Sequence, residues 1–181
     1  MILLRKLLMM MDKCQCFKAS ILDIATKSSK PLFLIGFMGS GKSTLGAIIA
    51  QKSCKRFIDL DIYISQKHNK SIPEIFENED EHSFRVLEHN ALLEIIRLKN
   101  IIVATGGGTP CFFDNMTLMN NYGITVYIKT LPEKLYERLA PNKNLRPLIA
   151  EKNDDELFEY IVKELSVREK YYALSLFNVY F

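Results

Sequence analysis

One run of the sequence has the residue types and the spacing that bind a chain of phosphates. Residues 36–44, GFMGSGKST, fit the pattern G-x-x-x-x-G-K-[ST] without a mismatch. Glycines lack a Cβ, so their backbone N–H groups can turn towards phosphate oxygens. Lys42 adds a positive charge, and the Ser43 hydroxyl is placed to ligate a magnesium ion. The alternative is a glycine-rich turn without a ligand. We predict a nucleotide phosphate site formed by Gly39, Ser40, Gly41, Lys42, Ser43 and Thr44.

The segments on either side must position this run, and both have suitable patterns. Residues 31–35, PLFLI, are continuously apolar, as a strand buried in a parallel sheet is. Residues 44–50, TLGAIIA, have the apolar face of a helix. The N-terminus of that helix would direct the positive end of its dipole at the phosphates.

Two carboxylates accompany the second apolar run, residues 56–60, which we predict to be a strand leading into Asp61. In open parallel sheets, ligands bind beyond the carboxyl ends of the strands, so Asp59 and Asp61 should lie beside the phosphate loop. Carboxylates there can hold a hydrated magnesium ion or accept a proton from an alcohol. The alternative role for Asp61 is the N-cap of the next helix, residues 62–67.

Three glycines, Gly106, Gly107 and Gly108, follow the third apolar run directly. They bring bare backbone to the same edge of the sheet, which favours a ligand over a flexible loop.

A helix is predicted over residues 81–98, and Arg85 lies one position off its apolar stripe. Taken alone, that position indicates a solvated arginine.

A polar, basic segment bounded by prolines, residues 140–148, precedes the last helix. It suits a mobile lid that delivers Arg146 to phosphates. Without that context it is only a surface loop.

Apolar runs alternate with helical patterns from Pro31 onwards, which predicts βαβ units, an α/β class and a parallel sheet. We place the boundary of the main domain, residues 31–181, at this proline, and treat residues 1–30 as an extension that is partly helical or disordered. The predicted strands are 31–35, 56–60, 101–104, 124–128 and 176–181, and the predicted helices are 44–50, 62–67, 72–76, 81–98, 115–122, 133–139 and 154–172.

Composition excludes several functional classes. A net charge of +3 over 181 residues is too small to indicate nucleic acid or an anionic membrane as the main partner. Residues 1–11 are apolar, but Arg5 and Lys6 interrupt them, and they are too short to span a bilayer. The four cysteines form neither a disulfide framework nor a zinc pattern, so we expect a reducing cytoplasm.

Together these motifs resemble those of the shikimate kinase family over about residues 31 to 181. The resemblance rests on the phosphate loop, the Asp-x-Asp pair, the Phe-Arg segment, the triple glycine, the lid motif and a late arginine on the last helix. In this sequence they are residues 36–44, Asp59-Leu60-Asp61, Ser83-Phe84-Arg85 with Glu88, Gly106 to Gly108, Arg146-Pro147-Leu148 and Arg168.

The resemblance implies a P-loop kinase fold, with helices on both faces of a parallel sheet of about five strands, and transfer of the ATP γ-phosphate to the 3-hydroxyl of shikimate. Lys42, Asp61 and Arg146 would be catalytic, Asp61 by holding the hydroxyl and helping to remove its proton. Arg85 and Arg168 would bind the carboxylate, and Gly106 to Gly108 the ring. Ser43 and Asp59 would position Mg²⁺. It also implies a cytoplasmic monomer in aromatic amino acid (chorismate) biosynthesis.

The sequence departs from the family pattern at both ends, in the extension before Pro31 and in a final strand that stops at Phe181. The second departure predicts a shortened adenine site. Two alternatives therefore stay open: a truncated relative that binds phosphate ligands or a partner without catalysis, and a kinase of another small metabolite or a nucleoside monophosphate.

Overall fold

The computed structural model describes residues 21–146 and 148–180. The predictions for residues 1–20, including Cys14 and Cys16, and for Pro147 and Phe181 lie outside this part of the chain. Within it, five parallel strands form one sheet in the order β2-β3-β1-β4-β5. The strands are β1 Leu32–Ile35, β2 Arg56–Asp59, β3 Ile101–Ala104, β4 Ile124–Lys129 and β5 Phe177–Tyr180.

Helices cover both faces of the sheet, as predicted. Residues 21–27 are helical and are called α1. The others are α2 Lys42–Lys52, α3 Leu60–His68, α4 Ile72–Asn78, α5 Glu81–Ile95, α6 Asn115–Tyr122, α7 Pro132–Leu139 and α8 Asp154–Tyr172, with short 3₁₀ helices at Thr109–Cys111 and Ala140–Leu145.

The alternation of side chains along β1 explains the two layers. Phe33 and Ile35 enter a core shared with α3 to α8, whereas Leu32 and Leu34 enter a core shared with α1 and α2. All four residues are buried, because a central parallel strand has helices on both sides. The continuous apolar run in the sequence is thus the signature of this position.

Parallel pairing brings three functional segments to one edge. β1 pairs with β3, and β3 pairs with β2, all in the same direction. The phosphate loop, Asp59 with Asp61, and the triple glycine follow the carboxyl ends of these three strands. The backbone N–H of Thr105 donates to the carbonyl of Leu34 at 3.2 Å and ties the glycine loop to the end of β1.

Most predicted elements are confirmed, with differences at their ends. α5 ends at Ile95 rather than at residue 98, and α2 begins at Lys42, inside the predicted phosphate run. The predicted start of α4 is confirmed by a capping box, in which Ser71 and Glu74 each accept from the other's backbone N–H. The second strand ends at Asp59, because α3 begins one residue later.

Helix α1 lies before the boundary placed at Pro31, yet it packs on the sheet. Ile21 and Ala25, one turn apart, are buried against the core that contains Val126, Ile128 and Val179. Residues 21–27 therefore contribute apolar contacts to the domain. No helix within residues 21–146 and 148–180 combines the length and the hydropathy that crossing a bilayer requires.

A glycine at the end of α6 is required by close packing, which generates a stability prediction. A Cβ on Gly123 would lie 2.5 Å from Cε2 of Phe33 and 2.6 Å from the carbonyl oxygen of Pro31. Phe33 is fully buried and cannot move aside. We expect Gly123→Ala to lower the free energy of unfolding by about 1–3 kcal/mol, measured by chemical denaturation. Asn121→Ala, an exposed change on the same helix, should cost less than about 0.5 kcal/mol. Equal midpoints for the two variants would contradict this account.

Candidate active site

The phosphate loop has the backbone conformation that its glycines predict. Gly39 and Gly41 have φ angles of +78° and +92°, in the left-handed region that favours glycine. Gly41 is the N-cap of α2, so the first N–H groups of this helix face the loop. A concave anion site therefore forms from main-chain donors alone.

Lys42 lies folded across this loop. Its Nζ donates to the carbonyl oxygens of Gly36 and Phe37, each at 2.9 Å. Burial lowers the pKa of Lys42 to about 8, although the negative charges of Asp61 and Asp59 oppose the change. The ammonium group is thus already at the loop, held by carbonyls that a phosphate oxygen can replace.

Asp59 connects the loop to α3 through its two oxygens. Oδ2 accepts from the Ser43 hydroxyl at 2.6 Å, and Oδ1 accepts from the backbone N–H groups of Asp61 and Ile62 at 3.2 and 3.4 Å. Asp59 is therefore the N-cap of α3. The alternative that made Asp61 the cap was wrong, because the helix begins at Leu60.

Asp61 consequently lies in the first turn of α3, beside both the phosphate loop and the triple glycine. Burial raises its pKa to about 6, and the negative charges of Glu88 and Asp59 add to the effect. A carboxylate in this environment is a stronger base than an exposed one.

Arg85 is buried, so the interpretation of this residue as a solvated arginine was wrong. Its Nη1 donates to Glu88 at 2.6 Å and its Nη2 to Glu81 at 2.7 Å. The guanidinium carbon lies 4.5 Å from the centroid of Phe112, within cation–π range. Buried Nε has no hydrogen-bond partner among the described residues. Two of the five N–H donors of the arginine thus hold it in place.

Arg168, on α8, is the second buried arginine near the glycine loop. Its Nη2 donates to Glu164, one turn earlier, at 2.6 Å, and its guanidinium lies 5.3 Å from the ring of Phe37. A Cβ on Gly107 would lie 3.6 Å from Nη1 of Arg168, and a Cβ on Gly108 would lie 2.6 Å from Nη1 of Arg85. The glycine loop therefore contacts both arginines, and a side chain on Gly108 would displace Arg85.

Arg146 comes from the segment predicted as a lid, and Arg138 from the end of α7 before it. The lid segment contains a 3₁₀ helix, Ala140–Leu145, with Arg146 immediately after it. Arg138 donates from Nη1 to the carbonyl of Gly39 at 3.2 Å, so it lies against the phosphate loop. Nε of Arg146 is buried without a partner among the described residues.

Two neighbouring cavities in this region share part of their lining. The larger, about 580 Å³, is lined by the phosphate loop, Asp59, Arg138 and Thr105. The smaller, about 280 Å³, is lined by both buried arginines, the three glycines and apolar side chains of α4 and α5. Residues that line both are Met38, Asp61, Gly107 and Arg146. The predicted site residues are thus brought together, with Asp61 where the cavities meet.

The sequence did not predict the buried hydrogen bonds that hold Arg85 in place. Glu88 is only 1% exposed and accepts from Arg85 and from the Thr109 hydroxyl, at 2.6 Å each. Asn115, also buried, donates to the carbonyl of Thr109 at 2.9 Å. The spacing of Arg85 and Glu88, three residues apart on a helix, was the one available signal.

The match of the shikimate kinase family model covers residues 38–177. A shikimate kinase of Bacteroides thetaiotaomicron is 44% identical over 149 residues, 81% of this chain and 85% of that protein. One from Azobacteroides pseudotrichonymphae is 48% identical over 142 residues, 78% of this chain and 84% of that protein.

Comparison with solved structures supports the same family. Shikimate kinase from B. thetaiotaomicron superposes with a TM-score of 0.81 at 40% identity, over 84% of this chain and 87% of that one. The Acinetobacter baumannii enzyme in complex with shikimate gives 0.76 at 32% identity, over 83% of each chain. A deoxyadenosine kinase from M. mycoides with bound dATP gives 0.52 at 16% identity over 83% of this chain and 90% of that one, a likeness of fold alone.

The two glutamates on Arg85 should differ sharply in their effect on stability. Glu88→Ala leaves a buried arginine and the buried Thr109 hydroxyl without their partner, and removal of one member of a buried pair costs on the order of 3–5 kcal/mol. Glu81 is 56% exposed, so Glu81→Ala should cost less than about 1 kcal/mol. Chemical denaturation of both variants measures the difference. Similar losses would show that the Arg85–Glu88 pair is not buried in solution.

Proposed function

The chain belongs to the shikimate kinase family, and we propose that it transfers the γ-phosphoryl group of ATP to the 3-hydroxyl of shikimate at the junction of its two cavities. The observation that carries this proposal is the position of Asp61, which lines both the phosphate cavity and the cavity with two buried arginines. Phosphoryl transfer requires chiefly positioning and electrostatic stabilisation, and the arrangement supplies both.

In the larger cavity, the N–H groups of Gly39 to Thr44 bind the phosphates of ATP. Lys42 exchanges its bonds to the Gly36 and Phe37 carbonyls for phosphate oxygens. Arg138 lies on the rim of the same cavity and contacts the nucleotide.

The donors near the loop fit a magnesium ion. Mg²⁺ in kinases binds one or two protein oxygens and completes its shell with phosphates and water. The Ser43 hydroxyl and the Asp59 carboxylate, 2.6 Å apart, are such a pair of hard oxygens. A bound ion would neutralise phosphate charge and fix the phosphate geometry. Asp59 keeps its other oxygen on the N-terminus of α3 and so stays oriented.

In the smaller cavity, Arg85 and Arg168 bind the carboxylate of shikimate. Guanidinium groups keep their charge at all relevant pH values and match a carboxylate in shape. Gly106, Gly107 and Gly108 bind the ring through their backbone, because a Cβ on Gly106 or Gly108 would overlap Glu88 or Arg85. The A. baumannii relative, which was solved with shikimate, supports an acid of this class.

Transfer then follows from the geometry. The 3-hydroxyl oxygen of shikimate bonds to the γ-phosphorus, the bond from that phosphorus to the β–γ bridging oxygen breaks, and ADP leaves. The hydroxyl proton passes to the Asp61 carboxylate, whose burial raises its pKa and its basicity. Lys42 and Arg146 stabilise negative charge on the transferring group.

We place the enzyme in the cytoplasm as a monomer that acts on small molecules. One chain supplies every residue assigned above, so the site is complete without a partner. Cys54 and Cys111 are free thiols, consistent with a reducing compartment. The charge of +3 favours no nucleic acid or membrane partner.

The primary test is shikimate-dependent release of ADP from ATP and Mg²⁺. We expect turnover by the wild type and none above background for Lys42→Met, which removes the charge but keeps the length of the side chain. No difference between the two proteins would reject the activity. If a nucleoside monophosphate or another alcohol outcompetes shikimate, the acceptor is a different metabolite. Shikimate binding by calorimetry without product would indicate a binding protein instead.

The assignment of the carboxylate site makes a separate prediction. Arg168→Ala should raise KM for shikimate roughly 10- to 100-fold, because a charged hydrogen bond contributes about 1.5–3 kcal/mol. KM for ATP should change less than about twofold, since Arg168 lines the smaller cavity. Arg97→Ala, an exposed change in the turn after α5, is the control and should leave both constants unchanged. An equal loss of ATP affinity in a direct titration would refute this assignment.

A further inference from the structure

Tyr172 makes a contact that the roles above do not use. It is the last residue of α8, one turn after Arg168, and it is fully buried. Its hydroxyl donates a hydrogen bond to the carbonyl oxygen of Gly107, 65 residues away. Helix α8 thus directs the guanidinium of Arg168 to the smaller cavity and the hydroxyl of Tyr172 to the glycine loop.

The bond to Gly107 differs in kind from the others in this loop. The carbonyl of Gly106 accepts from the N–H of Thr109 at 3.3 Å, and that of Gly108 from Cys111 at 2.8 Å. Both are short-range bonds of the 3₁₀ turn. The Gly107 carbonyl is held instead by a side chain of a packed helix, so its direction is set by the core.

The direction of the Gly107 carbonyl also determines the direction of the Gly108 N–H. Every peptide bond in the described part of the chain is trans. In a trans peptide the C=O of one residue and the N–H of the next point in opposite directions. With the Gly107 carbonyl held on Tyr172, the Gly108 N–H points away from α8. Gly108 lies against Arg85 and lines the smaller cavity.

We propose that Tyr172 is a positioning residue, which sets the Gly107–Gly108 peptide so that the Gly108 N–H donates to bound shikimate. This inference rests on the function proposed above. Glycine flanks the peptide on both sides, and glycine backbone rotates more freely than any other. Without the phenol, the peptide can turn and the donor leaves the cavity in part of the population.

A simpler account assigns Tyr172 to packing alone. Its ring lies 5.0 Å from that of Tyr127, which is also buried. The two hydroxyls, however, have different partners: that of Tyr127 donates to Glu169 at 3.2 Å, away from the glycine loop. Tyr127→Phe is therefore a matched control, since it removes a hydroxyl from the same aromatic pair.

The experiment compares Tyr172→Phe with Tyr127→Phe in the full chain. We expect Tyr172→Phe to raise KM for shikimate about 3- to 10-fold, the factor that corresponds to one neutral hydrogen bond. KM for ATP should stay within about twofold, as should both constants of Tyr127→Phe. The NMR order parameters of the Gly107 and Gly108 amides in the substrate-free protein should fall in Tyr172→Phe only.

Unchanged KM and unchanged order parameters in Tyr172→Phe would overturn the inference, as would equal changes in the two variants, which indicate loss of packing. A raised KM with unchanged order parameters would also overturn it, because the Tyr172 hydroxyl interacts with Arg168 as well and the effect would then come from that arginine. If the wild type does not phosphorylate shikimate, the proposed function fails, but lower order parameters at Gly107 and Gly108 would still show that Tyr172 holds the loop.

Discussion

Burial of charge is the constraint on which this site depends. Lys42, Asp61, Arg85, Glu88 and Arg168 are all largely withdrawn from water, where an unpaired ion is unfavourable by several kcal/mol. Each positive group therefore has a negative or carbonyl partner. Under the proposed function, phosphate and carboxylate ligands would replace some of these partners, while the other partners would stay. The affinity for ligands would then depend on which partners are fixed and which can be exchanged.

The parts that sequence predicted well are those determined locally. The phosphate loop is one continuous segment, and its glycine conformations follow from the residues themselves. The buried strands β1 and β3 read as unbroken apolar runs, because both of their faces are covered. Parallel pairing then places everything that follows a strand at one edge. The fold class and the approximate position of Asp61 thus required no long-range information.

The parts that sequence could not predict depend on contacts between distant segments. Arg85 looks solvated on its own helix, since periodicity does not reveal that Phe112 and the glycine loop cover it. Asp59 and Asp61 are both plausible helix caps, and only the observed start of α3 separates their roles. The hydrogen bonds of Thr109 and Tyr172 span 21 and 65 residues, which no local pattern encodes.

The partners of the two cavity arginines show how fixed and exchangeable groups are divided. Each arginine pairs with a glutamate one turn earlier, Glu81 or Glu164, and these glutamates are 56% and 28% exposed. These pairs are partly open to solvent, so they hold the arginines less firmly than the buried pair with Glu88 does. Glu88 is buried and also holds Thr109. Under the proposed function, an incoming carboxylate would replace the weaker pairs while Glu88 keeps Arg85 in place, so the cavity would be preorganised for an acid.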